Sequence, residues 1–397
     1  MKNKVLLVAL FALMGSSLLS CGDTPASSVP TTSTKPTTVQ TSSVQSTIQY
    51  SNDYVLELTE LDIVDFHTDK QKSYLKDNYK NVTNYATGYA EASRPNAIPL
   101  CWKTTAAVQS ASKIKNYEIM ISTQESFNDY DSYTTENTFY ELYNLKIATT
   151  YYWRVSANLE NGFKVLSNVD QFETMDYGPR NLYVDGVTNV RDIGGWVTSS
   201  GKRVSQGKII RSGRFNKSES ETVVTEITTK GVDTMINTLG VKTEIDLRRV
   251  DNNEVGSIVS SPIDASVQYY SCPMNWQGSN ILLDNLQSVR NVFSVLGDVN
   301  NYPIVYHCNI GTDRTGLFAY LINGLLGVSE EDLYRDYLFS NFGYINGTRG
   351  TSGIDNSYVA TIKGYSGATL SAKIKNCLID KGVSERDIDT MVLMLSR

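Results

Sequence analysis

Cys308 and Arg314 are the residues of this 397-residue chain best placed to do chemistry. They lie within His307-Cys308-Asn309-Ile310-Gly311-Thr312-Asp313-Arg314-Thr315-Gly316. A cysteine acts as a nucleophile through its thiolate, which forms where positive charge and oriented N–H groups favour it. The Arg314 guanidinium supplies such charge. The five residues between Cys308 and Arg314 suit a loop that wraps one tetrahedral dianion, so Asn309, Ile310, Gly311, Thr312, Asp313 and Arg314 form the expected phosphate-binding set. With the thiolate below and the arginine fork on two equatorial oxygens, the expected reaction is phosphoryl transfer to sulfur followed by hydrolysis of the phosphocysteine. His307, beside the nucleophile, is expected to hold the loop by hydrogen bonding rather than to transfer a proton. The Thr315 hydroxyl is expected near the sulfur. A merely buried core cysteine would need none of these neighbours.

The elements that must position this set can be read on either side of it. Ile304-Val305-Tyr306 is a short β-branched and aromatic run that reads as a strand. Leu317-Phe318-Ala319-Tyr320-Leu321-Ile322 reads as the body of a helix. Strand, glycine-containing loop and helix together point loop N–H groups and a positive helix end into one concavity.

The leaving group needs a proton, and three carboxyls are candidates for its donor. Asp313 lies in the loop itself. Asp246 ends an apparent strand beside Leu247-Arg248, where it reads equally as an ion-pair partner. Asp284 lies in the stretch 274–285, which could cover the site. Arg191, Asp192, Arg211, Arg248, Arg249 and Asp336 read mainly as mutual ion pairs that fix the loops.

His307-Cys308-x5-Arg314-Thr315-Gly316 resembles the phosphate loop of cysteine-dependent protein tyrosine phosphatases. The Asp313-Arg314-Thr315-Gly316 ending resembles the bacterial tyrosine/serine phosphatase family. Further stretches fit that family in order: Asn189-x-Arg191-Asp192-x-Gly194-Gly195, Lys208-Ile209-Ile210-Arg211-Ser212-Gly213, Leu239-Gly240-Val241, Glu244-Ile245-Asp246-Leu247-Arg248 and Asp336-Tyr337-Leu338-x-Ser340-Asn341. The resemblance spans about residues 181–397. It implies an α/β cysteine-phosphatase domain and, by analogy with related lipid phosphatases, an acid role for Asp313. Thr312 stands where many relatives carry lysine. Arg314 is then the loop's only cation, and protein phosphotyrosine is favoured as substrate over phosphoserine or phosphothreonine and over lipid or inositol phosphates. The competing class is a surface protein that binds phosphate without turnover.

The rest of the chain locates this domain. Lys2 and Lys4, an apolar run from Val5 to Met14 and Leu18-Leu19-Ser20-Cys21 read as a secretory signal over 1–20. Its end resembles a bacterial lipobox, with Cys21 the lipidated residue. Residues 21–47 are Ser, Thr and Pro rich, without an aromatic residue, and read as a disordered tether. The expected location is therefore the extracytoplasmic face of a cell membrane. Residues 48–175 show short alternating runs, such as Tyr117–Ser122 and Tyr152–Ala157, which indicate an all-β sandwich. Pro95, Leu100-x-Trp102, Leu145-x-x-x-Thr149-x-Tyr151 and Phe172-x-Thr174 resemble a fibronectin type III domain. In that resemblance Pro95 and Leu100-x-Trp102 mark the first two strands and the tyrosine hydroxyl serves buried backbone. Residues 69–81 read as a short polar helix on the sandwich edge. Residues 178–397 are the expected phosphatase domain, closed by a helix over 370–381 that Gly382 stops.

Composition limits the alternatives. A net charge of −6, from 42 acidic against 36 basic residues, argues against a nucleic-acid binder. Two histidines are too few for an imidazole-rich metal site, and neither cofactor nor metal is expected. The expected partners are a phosphorylated substrate, the membrane and an unidentified ligand of the sandwich. Of the five cysteines, Cys101 and Cys377 read as buried. Cys272 reads as a core thiol, with a protective disulfide to Cys308 as the alternative.

Overall fold

The computed structural model describes residues 56–396, apart from 106–107, 109–111, 217–225, 251–253 and 255–258. The signal, Cys21 and the tether lie outside the described residues.

The all-β part carries nine strands: β1 Leu56–Leu58, β2 Ile63–Val64, β3 Ile98–Thr104, β4 Ile114–Ser122, β5 Asp131–Thr135, β6 Phe139–Leu142, β7 Thr150–Leu159, β8 Lys164–Leu166 and β9 Asp170–Thr174. One sheet runs β1-β3-β6. The other runs β2-β9-β7-β4-β5, with β8 added to β7. Alternation along β7 sends Trp153 and Val155 inward to meet Trp102, Ile119 and Leu100, all buried between the sheets. The Tyr151 hydroxyl accepts from the Lys146 N–H at 2.9 Å, as the tyrosine corner requires.

Two details differ from the sequence reading. Pro95 lies in no strand, and β3, which carries Leu100-x-Trp102, lies between β1, with Leu58 opposite Trp102, and β6, with Tyr140 opposite Leu100. The intervening chain leaves the sandwich altogether. Its helix α1 (Asp69–Lys76), capped by a Thr68/Gln71 box, lies against the α/β domain and not on the sandwich edge. Tyr74 supplies the reason. It is fully buried among Phe339, Phe342 and Tyr85 in the core of the α/β domain. Arg335 from that domain donates to the Tyr74, Leu75 and Asp77 carbonyls at the helix end.

The α/β domain is built on β10 Arg180–Asn181, β11 Arg191–Asp192, β12 Ile209–Ser212, β13 Thr243–Asp246, β14 Gln268–Ser271 and β15 Ile304–His307. Their order is β10-β11-β12-β15-β13-β14, and β12, β15, β13 and β14 run parallel. Strands β12, β13 and β15 are buried at every residue, as a parallel sheet covered on both faces demands. Helices α2 Leu286–Leu296, α3 Asp313–Leu325, α4 Glu330–Phe339, α5 Leu370–Asp380 and α6 Glu385–Leu395 complete the domain. Helix α5 ends before Gly382, whose φ of +83° reverses the chain. Among the described residues no helix is long and apolar enough to cross a membrane.

The two domains share hydrogen bonds. Arg180 donates Nε to the Leu145 carbonyl at 2.9 Å and Nη1 to Asp192 at 2.6 Å. The side chains of Gln206 and Asn144 each pair with a backbone N–H and carbonyl across the boundary, at Ile147 and Tyr183.

Candidate active site

Strand β15 lies centrally in the sheet, and helix α3 begins at Asp313, so the loop 308–312 opens at the carboxyl end of a central parallel strand. Gly311 makes the loop possible. Its φ is +70°, and a Cβ there would lie 2.5 Å from the Ser212 carbonyl oxygen.

The loop carbonyls are turned outward and held. Arg211 Nη2 donates to the Gly311 oxygen at 2.8 Å. Asn189 Nδ2 donates to the Ile310 and Gly311 oxygens at 3.1 and 3.0 Å. The Arg214 N–H donates to the Asn309 oxygen at 3.1 Å. A trans peptide points its N–H opposite its carbonyl, so the N–H groups of Ile310, Gly311 and Thr312 face the inner side of the loop. These clamps are themselves anchored. Asp336 on α4 takes Arg191 Nε at 3.1 Å and Arg211 Nη1, and Arg191 Nη1 holds the Asn189 side chain. Burial raises the Asp336 carboxyl, but the charges of Arg211 and Arg191 outweigh it and hold the group below its ordinary range.

Arg314 is oriented by a residue that the sequence reading missed. Glu254 accepts from Nη1 at 2.7 Å and Nη2 at 3.0 Å, while the Leu247 and Met274 carbonyls share Nη1. Among the described residues this leaves the edge formed by Nε and the second Nη2 hydrogen without a partner. That edge presents two parallel N–H donors, the geometry suited to two oxygens of one phosphate.

Behind the nucleophile, His307 Nε2 lies 2.9 Å from Glu244 Oε1 and Nδ1 lies 3.1 Å from the Cys308 carbonyl, so acceptors fix the ring on both sides. Glu244, Asp246 and His307 offer ligand atoms within 4.8 Å of one another. Protein donors already engage both carboxylates. Ser261 donates to Glu244, while Arg248 and Tyr269 donate to Asp246. Thr315 Oγ1 is buried, with no partner among the described residues, on the first turn of α3.

The three acid candidates separate by environment. Burial raises the Asp246 carboxyl, but His307 and Arg248 bring it down to about 2, so it is an ion-pair partner and a poor proton donor. Asp284 is exposed, and its carboxylate accepts the Asn280 N–H at 2.9 Å. Asp313 stays on the loop rim. Its Oδ1 accepts from the Tyr337 hydroxyl at 3.0 Å and Arg349 Nε at 3.1 Å, and its Oδ2 from Arg349 Nη2 at 3.1 Å.

Cys272 is a free, buried thiol that burial, with Asp246 nearby, pushes up to about 12. Ser271 pairs with Asp246 and Asp246 with His307, so Cys272 and Cys308 are the residues that directly follow the strands on either side of β13. Two strand spacings put their Cα atoms about 9.6 Å apart. That exceeds the ~7 Å reach of a disulfide, and the core-thiol reading is the one the register supports.

Residues 182–357 match the model of the tyrosine phosphatase family. The α/β domain is that of a cysteine-dependent phosphatase. A Cupriavidus necator protein named "Putative tyrosine-protein phosphatase" is 26% identical over 193 residues, which cover 41% of this chain and 64% of that protein. The chain thus spans under two thirds of the length of that curated relative. The solved core catalytic domain of the PP-IP phosphatase SIW14 from S. cerevisiae is 17% identical, covering 38% of this chain and 82% of its own, with a TM-score of 0.27. A fibronectin type III domain of the human KIAA0970 protein is 20% identical, covering 28% of this chain and 86% of its own, with a TM-score of 0.19.

The phosphatase domain draws its site residues unequally from legible sequence. Asn189, Arg191, Arg211 and Asp336 lie in the ordered stretches noted above. Glu254 and Arg349 stand in Asn-, Gly- and Ser-rich loops with no pattern to single them out.

Proposed function

We propose that the protein is a phosphomonoesterase that works through a phosphocysteine, with phosphotyrosine in protein as substrate. The observation that carries the reading is the loop itself, with its carbonyls clamped outward and the free edge of Arg314 fixed by Glu254. In the first step the Cys308 thiolate attacks phosphorus while the P–O bond to the leaving group breaks. Asp313 gives that oxygen its proton. In the second step water attacks phosphorus, the P–S bond breaks, and the electron pair returns to Cys308 as thiolate while Asp313 takes the water's proton. Thr315 stabilises the departing sulfur through its unpartnered hydroxyl.

The signal-like residues 1–20 and Cys21 support export and lipid anchoring outside the cell membrane. The paired sheets and the tyrosine corner support a fibronectin type III-like module between tether and enzyme. Turnover of para-nitrophenyl phosphate in EDTA, lost in Cys308→Ser, is the expected result. Phosphate binding without turnover would instead establish the phosphate-binding surface protein. Radiolabelled palmitate incorporation that is lost in Cys21→Ala tests the anchor.

A further inference from the structure

Arg349 changes the charge count on which the substrate choice rests. The loop proper has one arginine, yet a second guanidinium reaches Asp313 from the segment after α4. The arginines that build the loop, Arg191, Arg211, Arg214 and Arg314, are all buried. Arg349 and Asp313 instead keep 28% and 35% of their side-chain surface in solvent.

The backbone that presents Arg349 is fixed. Its N–H donates to Asn341 Oδ1 at 2.7 Å, and its carbonyl accepts from Asn341 Nδ2 at 3.0 Å. The same segment is sewn to the chain between α1 and β3, through Ile345 N–H to the Gly88 carbonyl at 3.0 Å and the Thr348 hydroxyl to the Thr87 carbonyl at 2.8 Å. The guanidinium is thus delivered to the rim of the phosphate loop by a rigid arm. Its attraction to the Cys308 thiolate adds to that of Asp313 in holding the guanidinium charged against its partial burial.

Its present partner is exchangeable. A part-exposed ion pair is weak because water screens it. In the mechanism above, moreover, Asp313 must be protonated to act as acid, and a protonated Asp313 no longer balances Arg349.

We infer that Arg349 is the recognition point for a second anionic group on the substrate, a carboxylate or a second phosphate beside the phosphoester that Cys308 attacks. The inference rests on the phosphatase reading and narrows its substrate class. An incoming anion takes the guanidinium from Asp313, and the exchange leaves the Asp313 carboxyl facing the leaving group. Glu254 cannot be displaced in the same way, because it is buried and pairs the far edge of Arg314.

The test compares kcat/KM for three phosphotyrosine peptides that differ at one neighbouring residue: neutral, aspartate or phosphoserine. Para-nitrophenyl phosphate serves as the common reference. Wild-type protein is expected to favour the anionic peptides by at least tenfold. Arg349→Ala should bring that ratio to near one, and Arg349→Lys should retain part of it. The ratio is read within each variant, so any change that Arg349 causes in the shared rate through Asp313 cancels. Preference for both anionic peptides identifies charge as the feature read, and preference for phosphoserine alone identifies a second phosphate. Turnover of all three peptides with a ratio near one in wild type, or a ratio unchanged in a folded Arg349→Ala protein, overturns the inference. No turnover of para-nitrophenyl phosphate by wild type would sink the phosphatase reading itself.

Discussion

Replacing Asp336 by asparagine removes the anion between Arg191 and Arg211 and leaves both guanidinium groups buried. Their side chains are fully buried and that of Asp336 is 5% exposed, so water does not take over the lost pairing. Removing one partner of a buried ion pair costs about 3–5 kcal/mol. For a domain of this size each kcal/mol lowers the melting temperature by about 2–4 °C, so the expected drop is roughly 6–20 °C. Because Arg211 also holds the Gly311 carbonyl, kcat/KM should fall together with stability.

Thermal melts by circular dichroism at pH 7 would measure the effect. Adding Arg191→Met to Asp336→Asn removes one of the stranded cations and should recover part of the loss. The pH dependence has a definite sign. The folded Asp336 carboxyl is depressed, so the unfolded chain binds its proton at higher pH. The stabilisation is complete above the unfolded carboxyl range and is lost as pH falls through the folded value. Asp336→Asn should therefore lose less stability than wild type on acidification. A variant melting within about 2 °C of wild type would refute the claim that this carboxylate anchors the loop.

Three further outcomes can be checked. Glu254→Gln removes the carboxylate charge paired with the buried Arg314, weakens a charge-assisted bond worth about 1.5–3 kcal/mol, and should lower kcat/KM about 10- to 150-fold together with the melting temperature. Gly311→Ala meets the Ser212 carbonyl and a positive φ, so the loop must shift, and steady-state assays should show at least a ~100-fold loss of turnover. Tyr74→Ala empties a fully buried position and should cost about 3–5 kcal/mol in guanidinium denaturation, an effect felt by the α/β domain although Tyr74 precedes it by about a hundred residues.

The catalytic loop was legible because its chemistry is local. Nucleophile, glycine and arginine must lie on one turn of chain, so their spacing is fixed in sequence. Strand β15 was legible through its apolar run Ile304-Val305-Tyr306, whereas β12 and β13 carry the buried Arg211, Glu244 and Asp246 and showed only as family-like stretches. Glu254 and Arg349 were not legible. An ion pair across loops of independent length leaves no periodic trace, and either residue read alone is an ordinary surface charge. The placement of α1 was lost for a third reason. Its polar composition describes the face turned to water, whereas Tyr74 and the buried Gln71, which accepts from Asn181, fix what the other face packs against.

That last failure bears on how the sandwich and the enzyme are joined. A module strung on the chain before a catalytic domain would be expected to finish its own sheets first. Here β1 is laid down, the chain crosses to the α/β domain with α1, and only afterwards does it return as β3 to pair with β1. On the way back it passes the active site. The Ser93 hydroxyl accepts the Asn189 N–H at 3.1 Å, and Glu91 accepts from Thr188, next to the residue whose amide holds two loop carbonyls. The segment 66–94 is therefore closed at both ends by sandwich strands and filled in its middle by catalytic-domain contacts. In that connectivity the chain that builds the all-β part is also bonded to the residues that hold the phosphate loop.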